Sequence, residues 1–361
     1  MDVVNREKML MMTPGPTEVP ARVLEAMAQP IQNPDIDEEF FEFYRTLEEK
    51  CKRIYNTEDD VIILGGEGIL GLEASIASVI EKGEKILCIS NGIFGKGFAD
   101  FVEMYGGEAI LVDFPYDKTI DLDIVKSTVE KHDFKACTMV HCETPTGVLN
   151  PLSDLLDLLG EKNIIRIVDA VSSLGGVPVP TDRIDICIGG SQKCFSSPPG
   201  LTTLSVSDKV WNEIMKGEKK SLYTSLGVWK ETWFENDRLP YSHLVSNLYA
   251  LKESFDMLLE EGIDNVYNRH EKAAQLCREK GKEIGFTLYP KEEKICSPTV
   301  TAFSVEESAV KIQTQIKEKE DILLGTGLGD MKDDILRVGH MGYNAKKDKV
   351  KKAMKALERH Y

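Results

Sequence analysis

The sequence lacks two features that would place the chain in broad classes of protein. No apolar run approaches the roughly 20 residues that a membrane-spanning helix requires, so no membrane span is predicted. An excess of positive charge is also missing, because 44 Lys and Arg stand against 60 Asp and Glu, giving a net charge of −16. Since so acidic a chain repels phosphate backbones, a nucleic-acid partner is not expected.

Paired cysteines are absent as well. The eight cysteines are scattered without any C-x-x-C spacing, and Cys88, Cys137 and Cys187 stand in apolar runs, as small buried hydrophobic residues do. The first eight residues are charged and do not resemble a secretory signal. We therefore expect a cytoplasmic protein with free thiols, and neither a disulfide framework nor a metal site is predicted.

Strand-like apolar runs alternate with helix-length segments over the first two thirds of the chain, after an amphipathic helix at 38–55. The predicted strands are 61–64, 85–89, 109–112, 136–141, 164–168, 184–188 and 201–206. This alternation predicts an α/β fold with a mainly parallel seven-stranded sheet covered by helices.

The last third has a different pattern. Long helices are predicted at 243–261 and 264–284, followed by short strands and a basic final helix. These segments indicate a smaller C-terminal α+β domain. The expected organisation is an N-terminal arm over 1–20, a large domain over 21–245 and the small domain over 246–361.

A lysine stands at an unusual place, just after the apolar run 184–188. Lys193 lies among small residues and prolines, and a lysine is costly to bury without a chemical reason. A desolvated lysine has a lowered pKa and becomes nucleophilic, which suits an imine with an aldehyde cofactor. Taken alone, a surface lysine in a Gly/Ser loop is an equally good interpretation.

An aspartate upstream favours the chemical interpretation. Asp169 follows the apolar run 164–168 and precedes a loop of small residues, which is where α/β sheets place their sites. Pyridoxal phosphate needs a lysine for its aldehyde and a carboxylate for its ring nitrogen. An isolated Asp at such a position is more often a loop cap, but together Asp169 and Lys193 predict this cofactor.

Both residues belong to an ordered set of short motifs that spans nearly the whole chain. The motifs are 13–17 (TPGPT), 91–95 (NGIFG), 143–148 (ETPTGV), 168–173 (VDAVSS), 190–193 (GSQK) and 336–339 (LRVG). With this set the chain resembles the class V, fold type I, pyridoxal-phosphate aminotransferases of the alanine–glyoxylate, serine–pyruvate and 2-aminoethylphosphonate–pyruvate group. The resemblance implies their fold, their cofactor and a homodimer with shared active sites.

The resemblance also implies roles for individual residues. Lys193 would hold the cofactor aldehyde and later move the substrate α-proton, while Asp169 would keep the ring nitrogen charged. The other cofactor contacts would be Phe94 and Val171 on the two ring faces, Thr144 at the phenolic oxygen, and Gly68, Ile69, Gln192 and the second subunit's Tyr241 at the phosphate. Arg337 would bind the substrate α-carboxylate, with Gly15 beside the substrate.

At two positions the sequence departs from the family pattern. Glu67 stands where many relatives carry a hydroxyl residue, and Leu244 stands where relatives often have a threonine that binds the phosphate. A carboxylate beside a dianionic phosphate is repelled, although a helix N-terminus favours it by about 0.3–1 kcal/mol. We therefore expect Glu67 to point away from the phosphate and to order a neighbouring loop or subunit.

The implied reaction is transamination from a small, alanine- or serine-like amino acid to glyoxylate or pyruvate, with ping-pong kinetics. Small neutral donors are favoured because no second arginine stands near the motifs. Three alternatives stay open: a 2-aminoethylphosphonate–pyruvate aminotransferase, a lyase or desulfurase on the same fold, and a binding module without catalysis. A desulfurase would need a cysteine on a mobile loop, and none of the eight is obviously so placed.

Overall fold

The computed structural model describes residues 9–361, in which the chain folds around two main β-sheets. The strands are β1 (Leu10–Met12), β2 (Asp60–Gly65), β3 (Lys85–Ser90), β4 (Glu108–Asp113), β5 (Ala136–Val140), β6 (Cys142–Glu143), β7 (Val148–Leu149), β8 (Ile165–Asp169), β9 (Ile186–Gly190), β10 (Leu201–Val206), β11 (Thr287–Leu288), β12 (Val300–Ser304), β13 (Ile322–Thr326) and β14 (Ile335–Gly339). The α-helices are α1 (Ala21–Met27), α2 (Glu38–Tyr55), α3 (Gly68–Val79), α4 (Ile93–Met104), α5 (Leu122–Val129), α6 (Ser153–Glu161), α7 (Asp208–Ile214), α8 (Leu226–Trp229), α9 (Val245–Glu261), α10 (Ile263–Ile284), α11 (Ala309–Glu320) and α12 (Lys347–His360).

The larger sheet has seven strands in the order β2-β10-β9-β8-β5-β3-β4. Strand β10 is antiparallel to both of its neighbours, whereas β9, β8, β5, β3 and β4 pair in parallel. The central strands are buried along their length, as expected for apolar runs covered on both faces. The predicted mainly parallel seven-stranded sheet is confirmed.

Helices cover this sheet and bring their first turns to one of its edges. The amphipathic α2 packs its apolar stripe, from Phe40 through Tyr44 to Ile54, into the core. Helix α3 approaches the sheet closely at Gly71, where an added Cβ would lie 2.7 Å from the side chain of Ile188. This close approach places the start of α3 beside the carboxyl end of β9.

The smaller sheet has the order β1-β13-β14-β12-β11, and α10, α11 and α12 pack on it around a second hydrophobic core. Its first strand comes from the predicted N-terminal arm, because Leu10–Met12 pairs in parallel with β13. The buried side chains of α9, such as Leu248 and Phe255, belong instead to the core of the larger sheet. Both sheets therefore draw on distant parts of the sequence, and the division of the chain at residues 20 and 245 stays a prediction.

None of the helices in the described part of the chain combines the length and the apolar character needed to cross a membrane.

Candidate active site

A cavity of about 330 Å³ opens beside the carboxyl ends of β8 and β9, at the start of α3 and α4. In parallel α/β sheets, ligand sites usually lie at the carboxyl ends of the strands. Nine of the eleven residues predicted for the site line the cavity: Gly15, Gly68, Ile69, Phe94, Thr144, Asp169, Val171, Gln192 and Lys193. Arg337 and Tyr241 do not line it.

Lys193 reaches the cavity from the turn that follows β9. Its Nζ donates a hydrogen bond to the carbonyl of Pro14, at 2.8 Å. Burial, with a smaller contribution from Arg337, lowers the pKa of Lys193 from 10.5 to about 8. Gly15 packs directly against this side chain, and a Cβ added to it would lie 2.7 Å from Nζ. Its φ of +97° is a second reason why glycine is favoured at this position.

Asp169 is the last residue of β8 and is 6% exposed. Its Oδ1 accepts a hydrogen bond from the Val171 amide at 2.8 Å, and Oδ2 has no hydrogen-bond partner within residues 9–361. Burial raises the pKa of Asp169 to about 6, while the Val171 bond and Lys193 oppose that rise. A carboxylate in this setting is stabilised further by any cation that reaches Oδ2.

The geometry of the sheet brings these two groups together. Strands β8 and β9 are parallel neighbours, with Asp169 paired to Ile188, and Lys193 stands only five residues beyond Ile188. Their side chains face one cavity and influence each other's pKa, as opposite charges at short range do.

Apolar side chains form part of the cavity wall. Phe94 is the second residue of α4 and is partly buried, while Val171 follows Asp169 in the loop after β8. Gly68 faces Val171, and a Cβ added there would lie 3.0 Å from Val171 Cγ2. A planar ring between Phe94 and Val171 would be held by two apolar surfaces.

Glu143 holds the backbone at Phe94, a role that was not predicted for it. Its side chain is fully buried, and its carboxyl group accepts hydrogen bonds from the amides of Gly95 at 2.7 Å and Phe94 at 3.4 Å. Burial raises the pKa of Glu143 to about 8. The available signal was its place in the motif at 143–148, next to Thr144.

Thr144 connects the cavity with Arg337. Its hydroxyl forms a short hydrogen bond with Ser172 Oγ, another lining residue that the sequence analysis did not single out. The Thr144 carbonyl accepts a hydrogen bond from Arg337 Nη1 at 3.1 Å. Ser172 offered no separate signal, because it is one of several small residues in its loop.

Arg337 is a buried guanidinium without a carboxylate partner in the described part of the chain. It stands on β14, is 7% exposed, and donates from Nε to the Thr326 carbonyl at 2.5 Å. Burial lowers the pKa of Arg337 to about 10. Nη2 has no hydrogen-bond partner among residues 9–361, so the side chain keeps donors for an external anion.

The opposite end of the cavity is the turn at the start of α3. Glu67 is the N-cap of this helix, and its Oε1 accepts a hydrogen bond from the Ile69 amide at 3.3 Å. Its Oε2 lies 3.5 Å from Gln192 Nε2. The carboxylate thus caps the helix and contacts the turn after β9, because the free amides of a helix N-terminus attract it. Its orientation relative to a bound phosphate stays a prediction.

Tyr241 lies outside the cavity of its own chain. Its ring stacks on Tyr223 with 4.6 Å between centroids, and its Cε2 lies next to Gly65, at the end of β2. The hydroxyl is buried and has no hydrogen-bond partner within residues 9–361. Leu244 lies beside the same glycine and is 46% exposed.

Known proteins resemble this chain over nearly its whole length. The aminotransferase class-V family model matches residues 9–338. An uncharacterized aminotransferase of Methanocaldococcus jannaschii is 37% identical over 354 residues, covering 96% of this chain and 91% of the relative. The pyridoxamine–pyruvate transaminase of Mesorhizobium japonicum is 29% identical over 348 residues, covering 94% and 88%.

A solved structure gives the same result for the fold. The crystal structure of an alanine–glyoxylate aminotransferase from Nostoc sp. superimposes with a TM-score of 0.95 at 26% identity, covering 99% of this chain and 97% of that one. The chain therefore belongs to the class-V aminotransferase family and is a pyridoxal-phosphate-dependent aminotransferase of fold type I.

Proposed function

We propose that this enzyme transfers the amino group of a small, alanine- or serine-like amino acid to glyoxylate or pyruvate. The observation that carries the proposal is the buried Arg337, which lacks a carboxylate partner among residues 9–361 and donates a hydrogen bond to the carbonyl of Thr144 at the cavity. A guanidinium with free donors binds a carboxylate in bidentate fashion, and every amino acid and 2-oxo acid substrate carries one. Relatives named for glyoxylate and pyruvate support the choice of acceptors.

The residues at one end of the cavity, around Asp169 and Lys193, fit the ring of the cofactor, and we call this part the ring end. Lys193 would hold its aldehyde, Asp169 its ring nitrogen and Thr144 its phenolic oxygen, with Phe94 and Val171 on the ring faces. The Asp169 Oδ2 without a partner is the observation that supports this fit. When bound, the cofactor supplies an electron sink for the carbanion formed at the substrate α-carbon.

The phosphate would bind at the turn before α3, to Gly68, Ile69 and Gln192. The Ile69 amide and Gln192 Nε2 supply hydrogen-bond donors, and a helix N-terminus suits an anion. Both donors form hydrogen bonds with the Glu67 carboxylate, but this side chain is exposed and can turn into solvent, which frees the donors for a phosphate.

Lys193 would then move the proton. A pKa of about 8 leaves a useful fraction of its amine neutral near neutral pH, so Nζ can take the α-proton and return it at the next carbon. Arg337 would hold the substrate carboxylate during that transfer, and Gly15 would keep the arm close to the reacting atoms. Because the 2-oxo acid made from the donor leaves before the acceptor binds, we expect ping-pong kinetics.

The cavity favours small neutral donors. Its charged lining residues are Glu67, Asp169 and Lys193, so residues 9–361 supply no second lining cation that could bind a side-chain carboxylate or a phosphonate. This disfavours 2-aminoethylphosphonate as the donor. A desulfurase is disfavoured as well, because all eight cysteines are buried.

We also propose that the enzyme is a cytoplasmic homodimer, in which Tyr241 contributes to the phosphate end of the partner's site. The surface around Tyr241 supports the dimer: its stacking partner Tyr223 is 55% exposed, and the neighbouring Leu222 and Leu244 are 51% and 46% exposed. Such adjacent exposed apolar side chains indicate a covered surface. Sedimentation should give a dimer, and Tyr241→Phe should weaken cofactor binding; a monomer with full cofactor affinity would contradict the proposal.

A half-reaction screen tests the proposed activity. The purified holoenzyme is mixed with single amino acids in the absence of an acceptor, and loss of the cofactor's visible absorbance identifies donors. Glyoxylate or pyruvate should then restore that absorbance, with alanine or serine giving the largest change. Release of ammonia or sulfide would identify a lyase and overturn the proposal.

A further inference from the structure

The phosphate end of the cavity contains an unusual combination of groups. The carboxylate of Glu67 accepts hydrogen bonds from the Ile69 amide, at 3.3 Å, and from Gln192 Nε2, at 3.5 Å. These are the two donors that the proposed function assigns to the cofactor phosphate. Both distances are long for a charge-assisted hydrogen bond, so Glu67 covers the donors without binding them tightly.

A carboxylate and a dianionic phosphate cannot share this position. Both groups are hydrogen-bond acceptors and both are negatively charged, so they compete for the same donors and repel each other. The positively charged side chain that lines the cavity in the described part of the chain is Lys193, whose Nζ hydrogen-bonds the Pro14 carbonyl and not Glu67. Leu244, beside Gly65 at the entry to the turn, brings no hydroxyl group or charge.

A neutral hydroxymethyl group fits the same position without repulsion. It is smaller than a phosphate, and its hydroxyl can donate a hydrogen bond to the Glu67 carboxylate while Ile69 and Gln192 keep their present partner. Gln192 supports a well-formed polar site, since it is 7% exposed and its Oε1 is buried without a partner among residues 9–361. The exposed Glu67 can also turn into solvent, which leaves the phosphate a place to bind.

We propose that Glu67 is a specificity residue that weakens the preference of this pocket for the phosphorylated cofactor, so that vitamin B6 aldehydes and amines with a free 5′-hydroxymethyl group bind there as well. The inference rests on the proposed placement of the phosphate at the turn before α3. It adds a second class of ligand, the unphosphorylated vitamers, at the site of the established cofactor.

Binding measurements on the apoprotein test the proposal without using turnover. Pyridoxal and pyridoxal phosphate are titrated separately, and the visible absorbance of the bound aldehyde gives the ratio of the two dissociation constants. In Glu67→Gln, which keeps the shape but removes the charge, this ratio should shift towards the phosphate ester by at least about tenfold. Glu67→Ser should shift it in the same direction.

Asp121→Asn is the matched control, because Asp121 is also a helix N-cap that accepts from backbone amides but lies on α5, outside the cavity. It should leave the ratio within about twofold of wild type. A second probe is inorganic phosphate, which should raise the Tm of the Glu67→Gln apoprotein more than that of wild type.

The outcomes separate this inference from the proposed function. If both aldehydes bind wild type and the ratio in Glu67→Gln stays within about twofold, Glu67 is a helix cap only and the inference is wrong. If neither aldehyde binds wild type, the placement of the cofactor is wrong, and the inference fails with it.

Discussion

The two ends of the cavity are built in different ways. At the ring end, Asp169 ends β8 and Lys193 follows the parallel neighbour β9, so the sheet fixes both positions, and Asp169 is 6% exposed. At the phosphate end, the exposed side chain of Glu67 accepts from one helix-terminal amide, that of Ile69 at 3.3 Å, and from the side-chain amide of Gln192 at 3.5 Å. The first arrangement is preorganised by backbone topology, whereas the second depends on one side-chain rotamer.

This difference separates chemistry from ligand selection. Groups that must act on a reacting atom gain from fixed positions, because small displacements are costly for catalysis. A group that selects among ligands needs only to change their relative affinities. We therefore expect substitutions at the ring end to reduce turnover greatly, and substitutions at the phosphate end to change affinity more than turnover.

The largest effect should follow from Lys193→Ala. The variant loses both the group that holds the aldehyde and the base that moves the α-proton, so kcat should fall at least about 10²–10⁴-fold. The visible absorbance of the bound cofactor should disappear as well. Steady-state assays and absorbance spectra measure both, and Lys209→Ala, at an exposed position on α7, is the control. Full activity in the Lys193 variant would break the contrast between the two ends.

Arg337→Gln should have the next largest effect. Charge-assisted hydrogen bonds contribute about 1.5–3 kcal/mol each, so kcat/KM for the amino donor should fall about 10–150-fold. The affinity for the cofactor should change much less, because Arg337 does not line the cavity wall around the ring. Donor-dependent kinetics and cofactor titration measure the two effects separately.

Arg359→Gln, at an exposed position on the last helix, is the control for loss of a guanidinium. If Arg337→Gln weakens cofactor binding as much as it weakens donor kinetics, then Arg337 is a structural residue and the assignment of the substrate carboxylate is wrong.

The sheet was predictable from sequence because its strands are short apolar runs separated by helix-length segments. The predicted strand at 201–206 matches β10, and the predicted helix at 38–55 matches α2. The pairing of Leu10–Met12 with β13 was not predicted, because three residues near proline carry no strand period. Contacts between distant segments are not encoded in local patterns.

Only part of the site could be predicted from the apolar strand pattern. Lys193 and Asp169 follow apolar strands, and a parallel sheet brings such positions together. Glu143 was not assigned a role despite its place in the motif at 143–148, because a glutamate beside a turn is normally exposed and its burial depends on how α4 packs. The contact of Glu67 with Gln192 was not specified by the sequence pattern, since the nearest donors are set by the loop, and the orientation of Glu67 relative to a bound phosphate stays a prediction.

Glu143→Gln tests whether the buried carboxyl group of Glu143, which holds the backbone at Phe94, is uncharged in the folded protein. Burial raises the pKa of Glu143 from 4.5 to about 8, so the folded protein favours the uncharged carboxyl group. Its contribution to stability is therefore complete below pH 4.5 and is lost as the pH rises through about 8. The variant carries no ionisable group there, so it should gain stability relative to wild type between pH 5 and 8, by at most about 1.4 kcal/mol per pH unit.

Urea unfolding at several pH values measures this difference, and Glu307→Gln, at an exposed position, should leave the pH profile of stability unchanged. A wild-type-to-variant difference that does not vary with pH would mean that Glu143 is ionised in the folded protein. Its hydrogen bonds from Gly95 and Phe94 would then outweigh the cost of burial.

Phe94→Leu should have the smallest effect. Leucine keeps most of the apolar contact but loses the stacked ring, which is worth about 0.5–1.5 kcal/mol, so affinity for pyridoxal phosphate should fall about 2–12-fold. Phe101→Leu, on the same helix but outside the cavity, controls for helix packing. Combining Phe94→Leu with Glu67→Gln sharpens the contrast: independent ends should give free-energy changes that add within about 0.5 kcal/mol. A larger deviation would show that the ring plane and the phosphate turn are coupled, and that one rotamer at position 67 also positions the ring.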